Sequence, residues 1–85
     1  MSVRIWSFLT TEIGKTLEIV NKLKCIPQVK EINYITGEFD LALVIEAKTG
    51  EELHTVFSER INKIPGIKRS SSNLLLKRWK EKDFQ

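Results

Sequence analysis

The stretch that decides the fold is Tyr34–Glu46, which reads YITGEFDLALVIE. Gly37 can adopt the positive φ that a tight turn needs, so the stretch predicts two antiparallel strands joined at this glycine. Side chains of the second strand alternate between two apolar faces, with Leu41, Leu43, Ile45 and Ala47 on one and Ala42 and Val44 on the other. A strand that is apolar on both faces requires cover on both faces.

Composition and size limit the classes of protein. Eighty-five residues predict one small domain spanning residues 1–85, in which a modest core favours oligomerisation. The single cysteine and single histidine exclude an internal disulfide and argue against a metal site, and no cofactor is expected. A net charge of +3 is spread over both signs, which does not indicate a nucleic-acid surface.

Location is predicted from the same composition. The sequence starts without a basic, apolar leader, and it contains no apolar run of the roughly 20 residues that span a bilayer. A lone thiol suits a reducing compartment. We therefore expect a cytoplasmic protein with no membrane partner.

The first half of the chain predicts a strand, a helix and a second strand. The strand runs over Val3–Leu9, and Thr10 or Thr11 is expected to cap the helix that follows. Its predicted apolar stripe is Ile13, Leu17, Val20 and Leu23. Ile26-Pro27 should end the helix, because a residue before proline disfavours the α region. The next strand is expected over Val29–Thr36.

The second half repeats this order after the third strand, Asp40–Lys48. Thr49 and Glu52 form a predicted capping box for a second helix. Its apolar stripe is Leu53, Val56, Phe57, Ile61 and Ile64. Pro65-Gly66 should end it, a final strand is expected over Ile67–Trp79, and Glu81–Gln85 should fray. The β-α-β-β-α-β order, supported by the similar joints Ile26–Lys30 and Ile64–Lys68, predicts a ferredoxin-like α+β sandwich.

That sandwich places both helices on one face of the sheet and leaves the other face bare. The bare face is expected to carry large apolar side chains, drawn from Trp6, Phe8, Ala42, Val44, Leu74 and Leu76. Three consecutive leucines leave the facing of the last strand open. Because monomers seldom expose contiguous apolar patches, a homodimer that pairs these faces is predicted, against the alternative of ordinary exposed apolar residues.

Candidate catalytic residues are few. The sequence contains no nucleophile elbow, Walker loop or dinucleotide fingerprint. Cys25 at a helix end is interpreted as a half-buried structural residue and not a nucleophile. His54 is interpreted as a solvated residue on a helix surface. Glu38 and Asp40 form a carboxylate pair, although turns are commonly rich in acids. We expect no enzyme.

A binding role is the more concrete hypothesis for the turn. Backbone N–H groups around Gly37 can receive a carboxylate, and Asp40 can hold an ammonium group, which together suit an amino-acid zwitterion. Ser70, Ser71 and Ser72 offer hydroxyl contacts. The alternative is a plain hairpin turn beside a polar strand segment. The basic run Lys77–Lys82 has two interpretations as well, a phosphate contact or a solvated strand end.

The motif Tyr34-x-Thr36-Gly37-Glu38-Phe39-Asp40-Leu41, the capped helix after it and Ile64–Ile67 resemble the effector-binding (RAM) domain of Lrp/AsnC transcription regulators. The resemblance covers Val3 to Lys77. It implies a ferredoxin-like fold, sheet-to-sheet dimers that assemble into octamers or similar rings, and an amino-acid effector between dimers. The implied effector-binding residues are Tyr34, Thr36, Gly37, Glu38, Phe39 and Asp40, with Ser70 and Ser72 where the family has threonines.

Full regulators of that family carry an N-terminal helix-turn-helix, whereas this sequence starts at the first strand. We therefore expect a stand-alone domain with no direct DNA binding. It would act as an amino-acid sensor, or join full-length relatives in mixed assemblies. Two rival hypotheses stay open: a dimeric α+β barrel enzyme such as a monooxygenase or isomerase, and an ACT-like regulatory domain whose sheets pair side by side.

Overall fold

A computed structural model describes residues 2–77, 79 and 80. Glu81–Gln85, expected to fray, lie outside the described residues. The strands are β1 (Val3–Thr11), β2 (Val29–Tyr34), β3 (Leu41–Ala47) and β4 (Ile67–Leu74); the helices are α1 (Thr16–Leu23) and α2 (Gly50–Val56), and a π-helical turn (Phe57–Ile61) continues α2. This is the predicted β-α-β-β-α-β order, so the ferredoxin-like α+β fold is confirmed.

The four strands form one antiparallel sheet in the order β2-β3-β1-β4. Both helices pack on the same face, here called the helix face, where Ile19 and Leu23 of α1 and Ile61 of the π-helical turn join the core. Sheet residues of that core are Ile5, Leu9, Leu41, Leu43 and Ile45. The opposite surface, called the open face, carries the even-numbered residues of β1 and β3.

The helix α1 begins later than the sequence pattern predicts. Thr10 and Thr11 belong to β1, and Lys15 precedes the helix without a side-chain cap. The buried pair is Ile19 and Leu23, whereas Ile13 is fully exposed and Leu17 is 77% exposed. The predicted stripe was therefore wrong for Ile13 and Leu17. Ile13 lies in the loop before α1, so it is not part of the buried face of the helix.

The capping box at α2 forms with one change. The Thr49 hydroxyl oxygen accepts a hydrogen bond from the Glu52 N–H at 3.0 Å, as predicted. The Glu52 carboxylate accepts from the N–H of Lys48 at 2.8 Å, one residue before the cap. It also accepts from the side-chain amide of Gln28 at 2.7 Å, which joins α2 to the loop before β2.

A wider π-helical turn continues α2 and is closed by the hydrogen bond from the Asn62 N–H to the Phe57 carbonyl at 2.8 Å. Val56, directly before this turn, and Ile61, at its end, are both buried in the core. All the residues of the predicted stripe are buried or half-buried.

The last strand is shorter than predicted, and its register corrects one expectation. β4 ends at Leu74, and the N–H of Leu75 donates to the Arg4 carbonyl at 3.0 Å. Leu74 lies opposite Ile5 and therefore on the helix face, so its expected place on the open face was wrong. Leu76 lies beyond the strand and is exposed. The open-face residues of β4 are polar: Arg69, Ser71 and Asn73.

Within the described part of the chain, no helix combines the length and the apolar character needed to cross a membrane.

The Glu52 contacts generate a pH-dependence. The hydrogen bond from Gln28, the N–H of Lys48 and the attraction to the Lys48 charge together lower the pKa of Glu52 below its ordinary value of 4.5. A lowered folded-state pKa stabilises the fold above about pH 4.5, and that contribution disappears as the pH falls through the folded pKa. We expect Glu52→Gln to destabilise the protein at pH 7 and to lose its effect as the pH falls through the lowered folded-state pKa of Glu52, measured by urea unfolding. Glu51→Gln, on the same exposed turn, is the control; equal pH profiles for the two variants would contradict the assignment.

Candidate ligand-binding turn

The turn between β2 and β3 is fixed at its two ends. The Ile35 N–H donates to the Asp40 carbonyl at 2.9 Å, and the Asp40 N–H donates to the Leu9 carbonyl of β1 at 2.8 Å. Between these anchors, Thr36, Gly37 and Glu38 are exposed, and Gly37 has a φ of +107°. That φ suits glycine far better than other residues, which explains why a glycine stands there.

Asp40 links three elements. Its Oδ2 accepts hydrogen bonds from the Thr11 N–H at 2.7 Å and from the Thr11 hydroxyl at 3.2 Å. The Thr11 hydroxyl is also 2.7 Å from that of Thr16, the first residue of α1. Because Thr11 is buried, these bonds satisfy polar groups that water does not reach. The observed contacts of the Asp40 carboxylate are thus internal and position the turn.

An acidic and a basic side chain meet on the outside of the turn. A guanidinium nitrogen of Arg69 lies 3.8 Å from the Glu38 carboxylate, and both side chains are mostly exposed. The Arg69 guanidinium also lies over the ring of Phe39, 5.4 Å from its centroid. Phe39 in turn packs on Phe8 of the open face, with ring centroids 5.7 Å apart. The turn is therefore continuous with the end of the open face.

Arg69 is the site residue that sequence reasoning missed. It lies opposite Thr10 in the β1–β4 register, and alternation along β4 puts it on the open face while Ser70 points to the helix face. Once the register of β4 is known, alternation places Arg69 on the face opposite to Ser70, because Arg69 immediately precedes the serine run. A consecutive run of three serines hid this alternation in the sequence.

The predicted effector-binding residues divide among three places. The turn holds Thr36, Gly37, Glu38, Phe39 and Asp40. Ser70 and Ser72 lie on the helix face, where Ser72 is 3.2 Å from the buried Ser7 hydroxyl. Tyr34 lies at the β2 edge of the helix face, beside Leu17 and Val20 of α1. The structure does not bring Tyr34, Ser70 or Ser72 to the turn.

The open face carries an aromatic strip, formed by Trp6, Phe8 and Phe39, between two ion pairs. Trp6 is 41% exposed, and Phe8 and Phe39 are half-buried. Arg4 pairs with Glu46 at one end of the strip, and Arg69 pairs with Glu38 at the other. Ala42 and Val44 lie on this face opposite Phe8 and Trp6, but they are already buried within one chain. An apolar centre with a polar rim is typical of a protein interface.

The other two candidate catalytic residues both lie on the surface. Cys25 is exposed near the end of α1, so the expectation that it is half-buried was wrong. His54 is exposed on α2, as predicted. Among the residues that the structure describes, no three His, Cys, Asp or Glu side chains lie close enough to hold a metal ion together.

Comparison with known proteins identifies the type of domain. Residues 8–83 match the family model described as the Lrp/AsnC ligand binding domain. The HTH-type transcriptional regulator FL11 of Pyrococcus horikoshii is 30% identical over 94% of this chain and 52% of its own length. The chain thus spans about half the length of the curated regulators that it matches.

Solved structures share the fold. The crystal structure of FFRP-DM1 is 32% identical and superposes with a TM-score of 0.84, covering 87% of this chain and 99% of its own. A transcriptional regulator of Neisseria meningitidis, solved in complex with L-methionine, has a TM-score of 0.84 over 93% of this chain and 53% of its own. At 16% identity, this second likeness shows the fold alone.

One relative is an enzyme. Homocitrate synthase of Sulfurisphaera tokodaii is 33% identical over 74% of this chain, but the match covers only 14% of that enzyme. The shared segment is therefore a small part of the synthase, and the likeness does not extend to most of its length.

The structural role of Asp40 can be measured directly. Asp40→Ala leaves the buried Thr11 donors without an acceptor, and we expect a loss of about 1–3 kcal/mol in the free energy of unfolding. Glu38→Ala, two residues earlier on the exposed part of the turn, should change it by less than about 0.5 kcal/mol. Urea titration of the two variants compares them. Similar losses for both would show that the Asp40 link does not hold the turn.

Proposed function

The chain belongs to the Lrp/AsnC ligand-binding domain family, and from this premise we propose that it binds an amino-acid effector at the Thr36–Asp40 turn and self-associates through its open face. The relatives that share the family include transcription regulators. The proposal gives the domain a sensing and assembly role rather than a catalytic one.

The observation that carries the ligand proposal is the Glu38–Arg69 pair beside the exposed turn. An amino-acid zwitterion needs an anion for its ammonium group and donors for its carboxylate. Glu38 supplies the first, while the Arg69 guanidinium and the N–H groups near Gly37 supply the second. Asp40 keeps the turn in place through Thr11. This assignment moves the ammonium contact from Asp40, where the sequence suggested it, to Glu38.

The relatives support a small-molecule role for the segment. The same kind of segment makes up about half of the FL11 regulator and 14% of a homocitrate synthase. A module shared by a transcription regulator and an enzyme supplies something that both can use, and ligand sensing fits this requirement. The L-methionine complex of a regulator with the same fold supports an amino acid as the ligand class.

A second copy of the chain would complete the site. The open face ends at Phe39 and Arg69, so a copy seated on Trp6 and Phe8 would lie next to the turn and form one wall of a crevice. Burial of each large side chain contributes roughly 1.5–3 kcal/mol to such an interface. We propose a sheet-to-sheet homodimer with two-fold symmetry.

The helix face offers a second contact for higher assembly. Leu17 and Tyr34 are strongly exposed and line a groove between α1 and β2, on the other side of the sheet from the open face. Apolar contacts on opposite sides allow dimers to join further, which supports an octamer or a similar ring. Full-length regulators of the family share this domain, so mixed assemblies with them are part of the proposal.

Ligand binding is tested by a thermal-shift screen of the twenty amino acids. At about 100 times its Kd, a true effector adds about 2.7 kcal/mol of stability. Glu38→Gln should weaken binding at least about tenfold, because it removes the anion that pairs with the ammonium group. Glu59→Gln, on the surface of the π-helical turn, is the matched control. The site assignment fails if no amino acid stabilises the protein, or if the two variants bind equally well.

Assembly is tested with two charge insertions followed by sedimentation velocity. Trp6→Glu places a charge at the centre of the open face, and we expect monomers because burying an unpaired carboxylate is costly. Leu17→Glu alters only the helix face, and we expect dimers that do not assemble further. If Trp6→Glu leaves the dimer intact, the open face is not the dimer interface.

A further inference from the structure

A cleft lies away from the turn, between α2 with its π-helical turn and the edge strand β4. It has a volume of about 690 Å³, within the range of about 300–1,000 Å³ typical of ligand sites. Its walls are apolar, formed by Val3, Ile5, Leu53, Phe57 and Leu74. Its polar groups are the hydroxyl, amide and imidazole side chains of Ser70, Ser72, Asn62 and His54.

The floor of the cleft is unusual for the helix face of a sheet. Ser70 and Ser72 occupy positions of β4 that alternate with the open face, where a covered strand would carry apolar side chains. Ser72 lies 3.2 Å from the hydroxyl of Ser7, which is fully buried. The buried serine holds one side of the Ser72 hydroxyl, and the other side borders the cleft.

The π-helical turn shapes the opposite wall. Its closing hydrogen bond joins Asn62 to Phe57, and both residues line the cleft. Single π-helical turns inside helices occur frequently at functional sites, since they redirect side chains that a regular helix would place elsewhere. Phe57 begins this turn and lines the cleft, while Ile61 at its end is buried in the core.

The charges of the side chains that line the cleft limit which class of ligand can bind there. Among the described residues that line the cleft, none is Asp, Glu, Lys or Arg. A zwitterion would lose hydration there without a carboxylate to pair with its ammonium group, which is costly. An uncharged molecule with an apolar body incurs no such cost.

We propose that the α2–β4 cleft binds a small uncharged molecule that has an apolar body and one hydroxyl or amide group. The apolar body lies against Leu53 and Phe57, and the polar group bonds to the hydroxyls of Ser70 and Ser72. The cleft lies on the helix face, so a sheet-to-sheet dimer leaves it open. The site is separate from the turn and does not depend on an effector binding there.

The experiment uses methyl-labelled protein and NMR titration with three uncharged probes: N-acetyl-leucine methylamide, indole and benzyl alcohol. Methyl groups of Ile5 and Leu53 report on the cleft, and those of Val44 report on the open face. We expect at least one probe to shift the cleft methyls saturably without moving Val44. Free leucine, which carries both charges, should leave the cleft methyls in place even if it binds at the turn.

Two variants of adjacent serines provide the control. Ser70→Leu fills the cleft, leaves the Ser7–Ser72 contact intact, and should weaken probe binding at least about tenfold. Ser71→Leu makes the same change one residue later on the open face and should leave the cleft affinity unchanged. The proposal is overturned if no probe shifts the cleft methyls, if Ser70→Leu has no effect, or if free leucine shifts them equally. It is also overturned if the cleft methyls move when protein concentration rises without a probe, because the occupant is then a second copy.

Discussion

The structure depends on a central strand that is apolar on both faces. β3 lies between β2 and β1, and Leu41–Ile45 are all buried. The helices supply cover for one face from within the chain, through Ile19, Leu23 and Ile61. On the other face, Ala42 and Val44 are buried, but Trp6 of β1 remains 41% exposed. Two amphipathic helices on one face cannot cover both faces of a four-stranded sheet, so one aromatic strip stays partly exposed in the single chain. Self-association is the simplest way to bury it, because the strip and its two flanking ion pairs are present in every copy.

The turn is a consequence of how that strand begins. Asp40 directly precedes β3, and its bonds to Thr11 join the start of β3 to the end of β1 and, through Thr16, to α1. A fixed turn can display Glu38 and backbone N–H groups in a constant geometry, which a mobile hairpin cannot do. Arg69 reaches the turn from the edge strand β4, because β4 pairs with the end of β1. Preorganisation of this kind reduces the entropy lost when a small ligand binds.

Local sequence signals predicted the elements that are locally determined. The Gly37 turn, the alternation in β3 and the Thr49 cap depend on neighbouring residues, and they form as expected. The buried face of α1 was predicted incorrectly at its start. Ile13 and Leu17 have the spacing of a buried stripe, but Ile19 and Leu23 are the residues that pack into the core. The π-helical turn was not predicted, because the apolar spacing of the second helix fits a regular α-helix. Leu74 was assigned to the wrong face and Arg69 was missed for a different reason. The face on which each lies is set by the pairing of β4 with β1, which are far apart in the sequence, so no local pattern predicts it.

The central claim, that a second copy covers the open face, is tested most directly by acrylamide quenching of Trp6 fluorescence over a series of protein concentrations. The protein carries Trp79→Phe so that Trp6 is its single tryptophan. Trp6 should be shielded from the quencher at high concentration and become accessible on dilution, as the copies separate. A Trp6 that is quenched equally at every concentration, at the level expected for an exposed indole, would contradict the account.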